Sequence, residues 1–294
     1  MNVSKLNLIK QVLPYLACPN DGNNLEILEC NLFCDECESN YKILDSNFIE
    51  LLPKTSFQPK SETTTKMYSK YYDDLSKLGH SSEDKKRLWG IQSNSIPKGF
   101  FEKSRDTIMK FIDQNLVCDV GAGIGDYSFP LAKKSKIIFH CDLDLEAINY
   151  SRKIAYEQNL NNILFIRCDY MFLPFKNSSL PCITCIDVLE RGEEHDNKLL
   201  EQLTLKIKSH GICISDFHSK ERMKLTRVKD FGDRYSKNDL KSLFSKNDMN
   251  ISEIIGMGFL PQLKNIPGLI YYIGNAIGKI FLPPARWLVI STKN

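Results

Sequence analysis

The stretch VCDVGAGIGDYS, residues 117–128, runs an apolar segment into an acid, Asp119, and then into three glycines at alternate positions, Gly121, Gly123 and Gly125. Glycines there let the backbone pass close to a nucleotide, because no Cβ stands in the way. A dinucleotide loop has the form G-x-G-x-x-G, and here the third glycine falls one position early, which argues against a pyrophosphate. Three further acids close apolar segments downstream: Asp142 in IIFHCDLD, Asp169 in FIRCDY and Asp187 in CITCIDVLER. An acid at the position of Asp142 can accept both hydroxyls of a ribose. Asp169 stands where a carboxylate can accept from an exocyclic adenine amine. Four acids at four successive segment ends suit a ligand with a ribose and a positive charge.

A second group of chemically capable residues crowds the N-terminus. Cys18, Cys30, Cys34 and Cys37 lie in LACPNDGNNLEILECNLFCDECESNYKILDSNFIELLP, a small hairpin with Cys34-x-x-Cys37 as a metal knuckle. Structural zinc takes four ligands from Cys, His or carboxylate, and Cys18, Asp21, Cys34 and Cys37 could supply them. Cys30 competes with Asp21, but four strand residues at about 3.3 Å each hold it roughly 13 Å from Cys34. Cys182-x-x-Cys185 shares the knuckle spacing in a different setting. In the apolar strand PCITCID, side chains three apart face opposite sides, so these are two core thiols. Cys118, Cys141, Cys168 and Cys213 sit in strands or at their ends and are expected to be buried.

These residues are carried by a regular alternation of elements. Helix Lys103–Ile112 precedes strand Leu116–Val120, helix Tyr127–Lys134 precedes strand Ile137–Cys141, and helix Leu145–Gln158 precedes strand Ile163–Arg167. Strand Cys182–Ile186, helix Asn197–Ser209 and strand Ile212–Asp216 follow, with two more strands around Ile251–Ile255 and Trp287–Ser291. Strands spaced by helices imply a parallel sheet covered on both faces, with ligands outside the carboxyl ends of the strands. The fold class read here is α/β, a Rossmann-like doubly wound sheet with a small N-terminal β module.

Composition narrows the function classes. A formal charge of +3 over 294 residues is too mild to announce a nucleic-acid partner. The first residues have no sustained apolar run or cleavage site, and no apolar stretch reaches the length of a spanning helix. The expected location is therefore cytoplasmic, where ten cysteines do not form a disulfide framework.

Residues from about 99 to 292 resemble the class I S-adenosylmethionine-dependent methyltransferases, in particular the small-molecule, quinone and lipid group. The resemblance rests on DVGAGIGDYS, the CDLD acid, CDYMFLPFKNSSLPCITCIDVLER and RYSKNDLKSLFSKNDMNISEI. It implies S-adenosyl-L-methionine as cofactor, with Gly121, Ala122, Gly123 and Gly125 under its methionine part and Asp119 orienting its ammonium. Asp142 would take the ribose, Leu143 would pack on the adenine, and Asp169 with Tyr170 would line the adenine edge. Two positions depart from the family pattern: Arg191 stands where a histidine is usual, and Pro181 takes an acid's place. Candidates for a catalytic base are Asp187, Glu190 and His195. The N-terminal segment resembles the short zinc-ribbon-like proteins that partner tRNA and release-factor methyltransferases, with Asp21 in place of a second cysteine.

The organisation implied is a zinc-ribbon-like module over 1–55, a linker and helical segment over 56–98, and the methyltransferase domain over 99–294. An apolar insertion at about 261–284, NIPGLIYYIGNAIGKIFLPP at its heart, carries one charge between Ile266 and Leu282. It reads either as a core helix or as a surface that receives a lipophilic acceptor or rests on a membrane. The basic run HSKERMKLTRVKD offers an RNA or anionic partner as the alternative. A third reading is a non-catalytic, cofactor-binding assembly subunit.

Overall fold

The computed structural model describes residues 6–55, 100–222, 235–259 and 268–294. The expected linker, most of the basic run after Arg222 and the start of the apolar insertion lie outside the described residues. Eleven strands are present among them: β1 Glu26–Leu28, β2 Asn31–Cys34, β3 Ser39–Asp45, β4 Phe48–Leu51, β5 Leu116–Val120, β6 Ile137–Asp142, β7 Ile163–Cys168, β8 Leu180–Cys185, β9 Ile207–His218, β10 Met249–Met257 and β11 Arg286–Lys293. The helices are α1 Asn7–Val12, α2 Phe100–Phe111, α3 Ser128–Ala132, α4 Leu145–Glu157, α5 Glu193–Lys206, α6 Lys237–Lys246 and α7 Gly268–Phe281.

Local signals fix several of these ends. Asp144 caps α4 by accepting from the backbone N–H groups of Glu146 and Ala147, and Ser236 with Asp239 forms a capping box on α6. The helix expected over Tyr127–Lys134 is shorter, because tight turns through Pro130 and Leu131 close it at Ala132. The chain leaves α5 straight into β9, five residues earlier than the apolar pattern suggested, with Gly211 packed closely against Ile207 and Pro181.

The strands lie in the order β1-β2-β3-β4-β7-β6-β5-β8-β9-β11-β10. Pairing is parallel from β4 to β9 and antiparallel at both flanks. Helices α2, α3 and α4 cover one face through Ile108, Phe129 and Ile148, and α1, α5 and α6 cover the other through Ile9, Leu199 and Leu240. Cys182 and Cys185 fall into these two separate clusters. The alternation of strand side chains puts them there.

The N-terminal strands continue this sheet. Strand β4 pairs with β7 from Phe48 opposite Phe165 to Leu51 opposite Cys168. Behind it, Tyr15 and Phe175 both pack on Phe139, with ring centroids 6.2 and 5.0 Å away. Two arginines reach across as well, Arg152 to Asp45 at 2.6 Å and Arg167 to Glu50 at 2.7 Å. Because Phe175 is fully buried between the N-terminal segment and the main sheet, Phe175→Ala should cost about 3–5 kcal/mol. Denaturant unfolding should still show one transition, since the two parts share one core; a separate early transition would contradict that.

Candidate functional site

The strand order turns back between β5 and β8, and ligands in such sheets bind outside the carboxyl ends at that point. The glycine loop leaves β5 there. The N–H groups of Gly121 and Ala122 both donate to the Cys141 carbonyl, at 2.9 and 3.0 Å. Gly121 has φ +69°, and a Cβ on it would lie 2.3 Å from Val188 Cγ2. At Gly125, with φ +83°, a Cβ would lie 2.5 Å from the Phe129 ring. Both glycines are therefore required by the packing of the chain on itself. The loop is tied to the next strand by Gly123, whose N–H donates to Asp142 Oδ2 at 2.7 Å.

The four strand-end acids do not share one environment. Asp142 is partly buried, which raises its carboxyl above the ordinary value, and it also accepts from the Asp144 N–H at 2.8 Å. Each oxygen still has acceptor capacity for a ribose hydroxyl. Leu143 follows, its carbonyl accepting from Arg167 Nε at 3.2 Å. Asp169 accepts from the Met171 N–H at 2.9 Å and opens a short helical turn at Tyr170. Asp119 departs from the expectation of a cofactor contact. It is 2% exposed, on the face covered by α3, and its two oxygens accept from Ser128 Oγ at 2.6 Å and Thr184 Oγ1 at 2.8 Å.

The three candidates for a base separate. His195 is held between Asp196, at 3.1 Å from its Nδ1, and the Tyr170 hydroxyl, at 3.2 Å from its Nε2. That places it with the β7 side of the site. Asp187 and Glu190 turn the other way, toward a buried arginine that the sequence reading missed. Arg286, the first residue of β11, lies 2.8 Å from Asp187, 2.8 Å from Asp216 and 3.8 Å from Glu190. Glu190 also contacts His218 Nδ1. Arg286 holds the Asp187 carboxyl below the ordinary range, while burial pushes Asp216 up to about 6. Asp187 and Glu190 both have left-handed backbones, φ 63° and 86°, a conformation that non-glycine residues hold only when their surroundings enforce it. Asp216 was legible as a fifth acid at the end of a fifth strand. Arg286 had only its place at the head of an apolar strand to mark it.

The N-terminal cysteines form a second candidate site. One ligand atom from each of Cys18, Asp21, Cys34 and Cys37 lies within 4.8 Å of the others. Around them, the Tyr41 hydroxyl meets Cys18 Sγ at 3.0 Å, and Lys54 Nζ donates to the Cys37 carbonyl at 3.1 Å. Three thiols and a carboxylate converging this closely fit a zinc-type donor set.

Arg286→Leu should destabilise the fold by about 3–5 kcal/mol near neutral pH, the scale for stranding buried carboxylates. The lowered Asp187 carboxyl stabilises the native state only above the unfolded value of about 3.9, and that contribution disappears as pH falls through its folded value. The gap between wild type and variant should therefore narrow on acidification. A gap that stayed constant from pH 5 down to pH 2 would show that Arg286 does not act through these acids.

Comparison with known proteins bears on the same stretch of chain. A family model described as a methyltransferase domain matches residues 117–211. Magnesium protoporphyrin IX methyltransferase from Synechocystis PCC 6803, crystallised with bound SAH, is 14% identical; the match covers 78% of this chain and 99% of that one with a TM-score of 0.51. The PH0226 protein from Pyrococcus horikoshii OT3 is 15% identical over 76% of this chain and 99% of its own, with a TM-score of 0.52. The cyclase SpnF is 12% identical over 65% of this chain and 81% of its own, with a TM-score of 0.50. A search of curated proteins gives no match. The glycine loop, its strand-end acids and β8 all fall within residues 117–211, so that stretch of the chain carries a methyltransferase domain, and the solved structures share its fold.

Proposed function

We propose that the chain transfers a methyl group from S-adenosylmethionine to a small lipophilic acceptor. When bound, the cofactor supplies a methyl already activated on a sulfonium, so the protein's task is chiefly alignment and charge. The adenosine side would lie over β6 and β7, with Asp142 on the ribose and Leu143, Asp169 and Tyr170 along the adenine. Its methionine part would lie along the loop from Gly121 to Gly125. The acceptor would then stand beyond β8, where Asp187, Glu190 and His218 gather around Arg286. An acceptor with a proton to lose could pass it to the Glu190–His218 pair. His195, turned to Tyr170, would serve the cofactor side.

The observation that carries the lipophilic acceptor is the outward face of α7. Ile273, Ile277 and Ile280 recur at helical spacing and are exposed, and Phe281 is 77% exposed. Such a stripe on a surface marks an apolar partner. The helix leads within five residues into Arg286, and buried Arg222 fixes the surroundings by donating to the carbonyls of Phe259 and Pro283 at 3.0 and 3.2 Å. Arg222 is therefore committed internally and does not add to a basic surface for RNA. No helix among the described residues is long and apolar enough to cross a membrane.

Methyl-labelled S-adenosylmethionine incubated with protein and separate organic, aqueous and RNA fractions of a cell extract should deliver label to the organic fraction. Aspartates at Ile277 and Ile280 should reduce that transfer several-fold while leaving S-adenosylhomocysteine binding intact. Label found only in RNA would overturn the acceptor class, and no transfer to any fraction would overturn catalysis. The shared fold of a cyclase makes this distinction necessary.

The N-terminal cluster is proposed as a structural zinc site held by Cys18, Asp21, Cys34 and Cys37. Elemental analysis should find about one zinc per chain, and Cys34→Ser should release it. Zinc-free wild-type protein that keeps its N-terminal strands would contradict the assignment.

A further inference from the structure

The N-terminal strands lengthen the sheet, and they also grip the chain that leaves the carboxyl end of β7. Strand β4 ends with Leu51 opposite Cys168, the residue before Asp169. Beyond Tyr170 the same segment is gripped again. The Ala17 N–H donates to the Pro174 carbonyl at 3.0 Å, and the Lys176 N–H donates to the Tyr15 carbonyl at 2.8 Å. The stretch from Asp169 to Phe175 is therefore clamped at both ends by the N-terminal segment.

A charged link runs from β4 further along the same edge. Glu50 on β4, Arg167 on β7 and Asp142 on β6 are neighbours across three strands, Arg167 lying opposite both others. Arg167 Nη1 donates to Glu50 Oε1 at 2.7 Å, and its Nε donates to the Leu143 carbonyl at 3.2 Å. A guanidinium is a flat, rigid fork of donors, so bonds from two of its nitrogens fix its plane. Both side chains of the Glu50–Arg167 pair are partly buried, and Glu50 keeps the guanidinium from turning out to water.

The atom that Arg167 holds gives the link a role. Leu143 is the first residue past β6, and the peptide joining it to Asp144 is held at both polar ends. Its N–H, that of Asp144, donates to Asp142 Oδ1 at 2.8 Å. Its carbonyl, that of Leu143, accepts from Arg167. One peptide thus connects the carboxylate proposed for the ribose, the side chain proposed for the adenine and an arginine oriented from the N-terminal strands.

Building on the methyltransferase reading, we infer that Glu50 is a positioning residue for the adenosine end of the cofactor. It orients Arg167, and Arg167 fixes the Leu143 peptide on which Asp142 and the adenine platform depend. The N-terminal strands thereby support the cofactor site in addition to carrying the cysteine cluster.

Calorimetric titration with S-adenosylhomocysteine and with adenosine tests the link. Arg167→Met should weaken binding of both ligands about tenfold, the scale of losing one hydrogen bond from a charged group. Glu50→Gln should weaken both severalfold, and the double variant should bind like Arg167→Met, because the two changes break one chain of contacts. Asp45→Asn is the structural control. It removes the other ion pair between the N-terminal strands and the main sheet, with Arg152, and should leave both affinities within about twofold of wild type. Binding stoichiometry and melting temperature report loss of folded protein separately from affinity. If Arg167→Met fails to fold, Glu50→Gln and Asp45→Asn decide alone. Unchanged affinity in Glu50→Gln would overturn the inference, as would an equal loss in Asp45→Asn. A loss confined to S-adenosylhomocysteine would overturn it too, because adenosine carries the whole end that Glu50 is inferred to position. Wild-type protein that binds neither ligand would instead overturn the reading of the cofactor site.

Discussion

The close approach of β5's glycine turn to the loop after β8 is the constraint on which the carboxyl edge depends. At Gly121 the two segments meet so tightly that a single Cβ would strike Val188. This contact brings the glycine loop beside the segment that carries Asp187 and Glu190. Methyl transfer needs donor and acceptor held in line within van der Waals distance. A sheet that turns back at this point provides that adjacency without a hinge. Near it, Asp119 is held by the hydroxyls of Ser128 and Thr184, and Asp187, Glu190 and Asp216 by the charge of Arg286.

Much of this was legible in the sequence because it is local. The glycine spacing, the acids that close β5, β6 and β7, and the opposite faces of Cys182 and Cys185 all follow from period-two alternation and turn chemistry. Direction was less legible than position. Asp119 and Asp142 look alike in the sequence, yet Asp119 shares the face of Val117, which is buried under α3, while Asp142 stands one step beyond the end of β5's pairing. Parity along the strands is the same for both, since Asp142 lies two residues beyond His140, the partner of Asp119; only the end of the pairing separates them.

Long-range pairings were hidden altogether. Arg286 meets Asp187 only because β11 inserts antiparallel beside β9, setting Arg286 opposite His218. Nothing near Arg286 in the chain announces three carboxylates. The joining of β4 to β7 was equally invisible, since a four-residue strand has no mark of which edge it will complete. That joining places Glu50 opposite Arg167, itself opposite Asp142. A row of charge thus runs from the N-terminal strands to Asp142 at the end of β6.

The proposal sets both ends of the reaction on one carboxyl edge, so one crystal structure of the protein with S-adenosylhomocysteine tests it most directly. The expected result places the ribose hydroxyls on Asp142, the adenine along Leu143 and Asp169, and the sulfur over the glycine loop facing Glu190 and His218. A ligand bound elsewhere, or one whose sulfur points away from that pair, would contradict the proposed alignment of cofactor and acceptor.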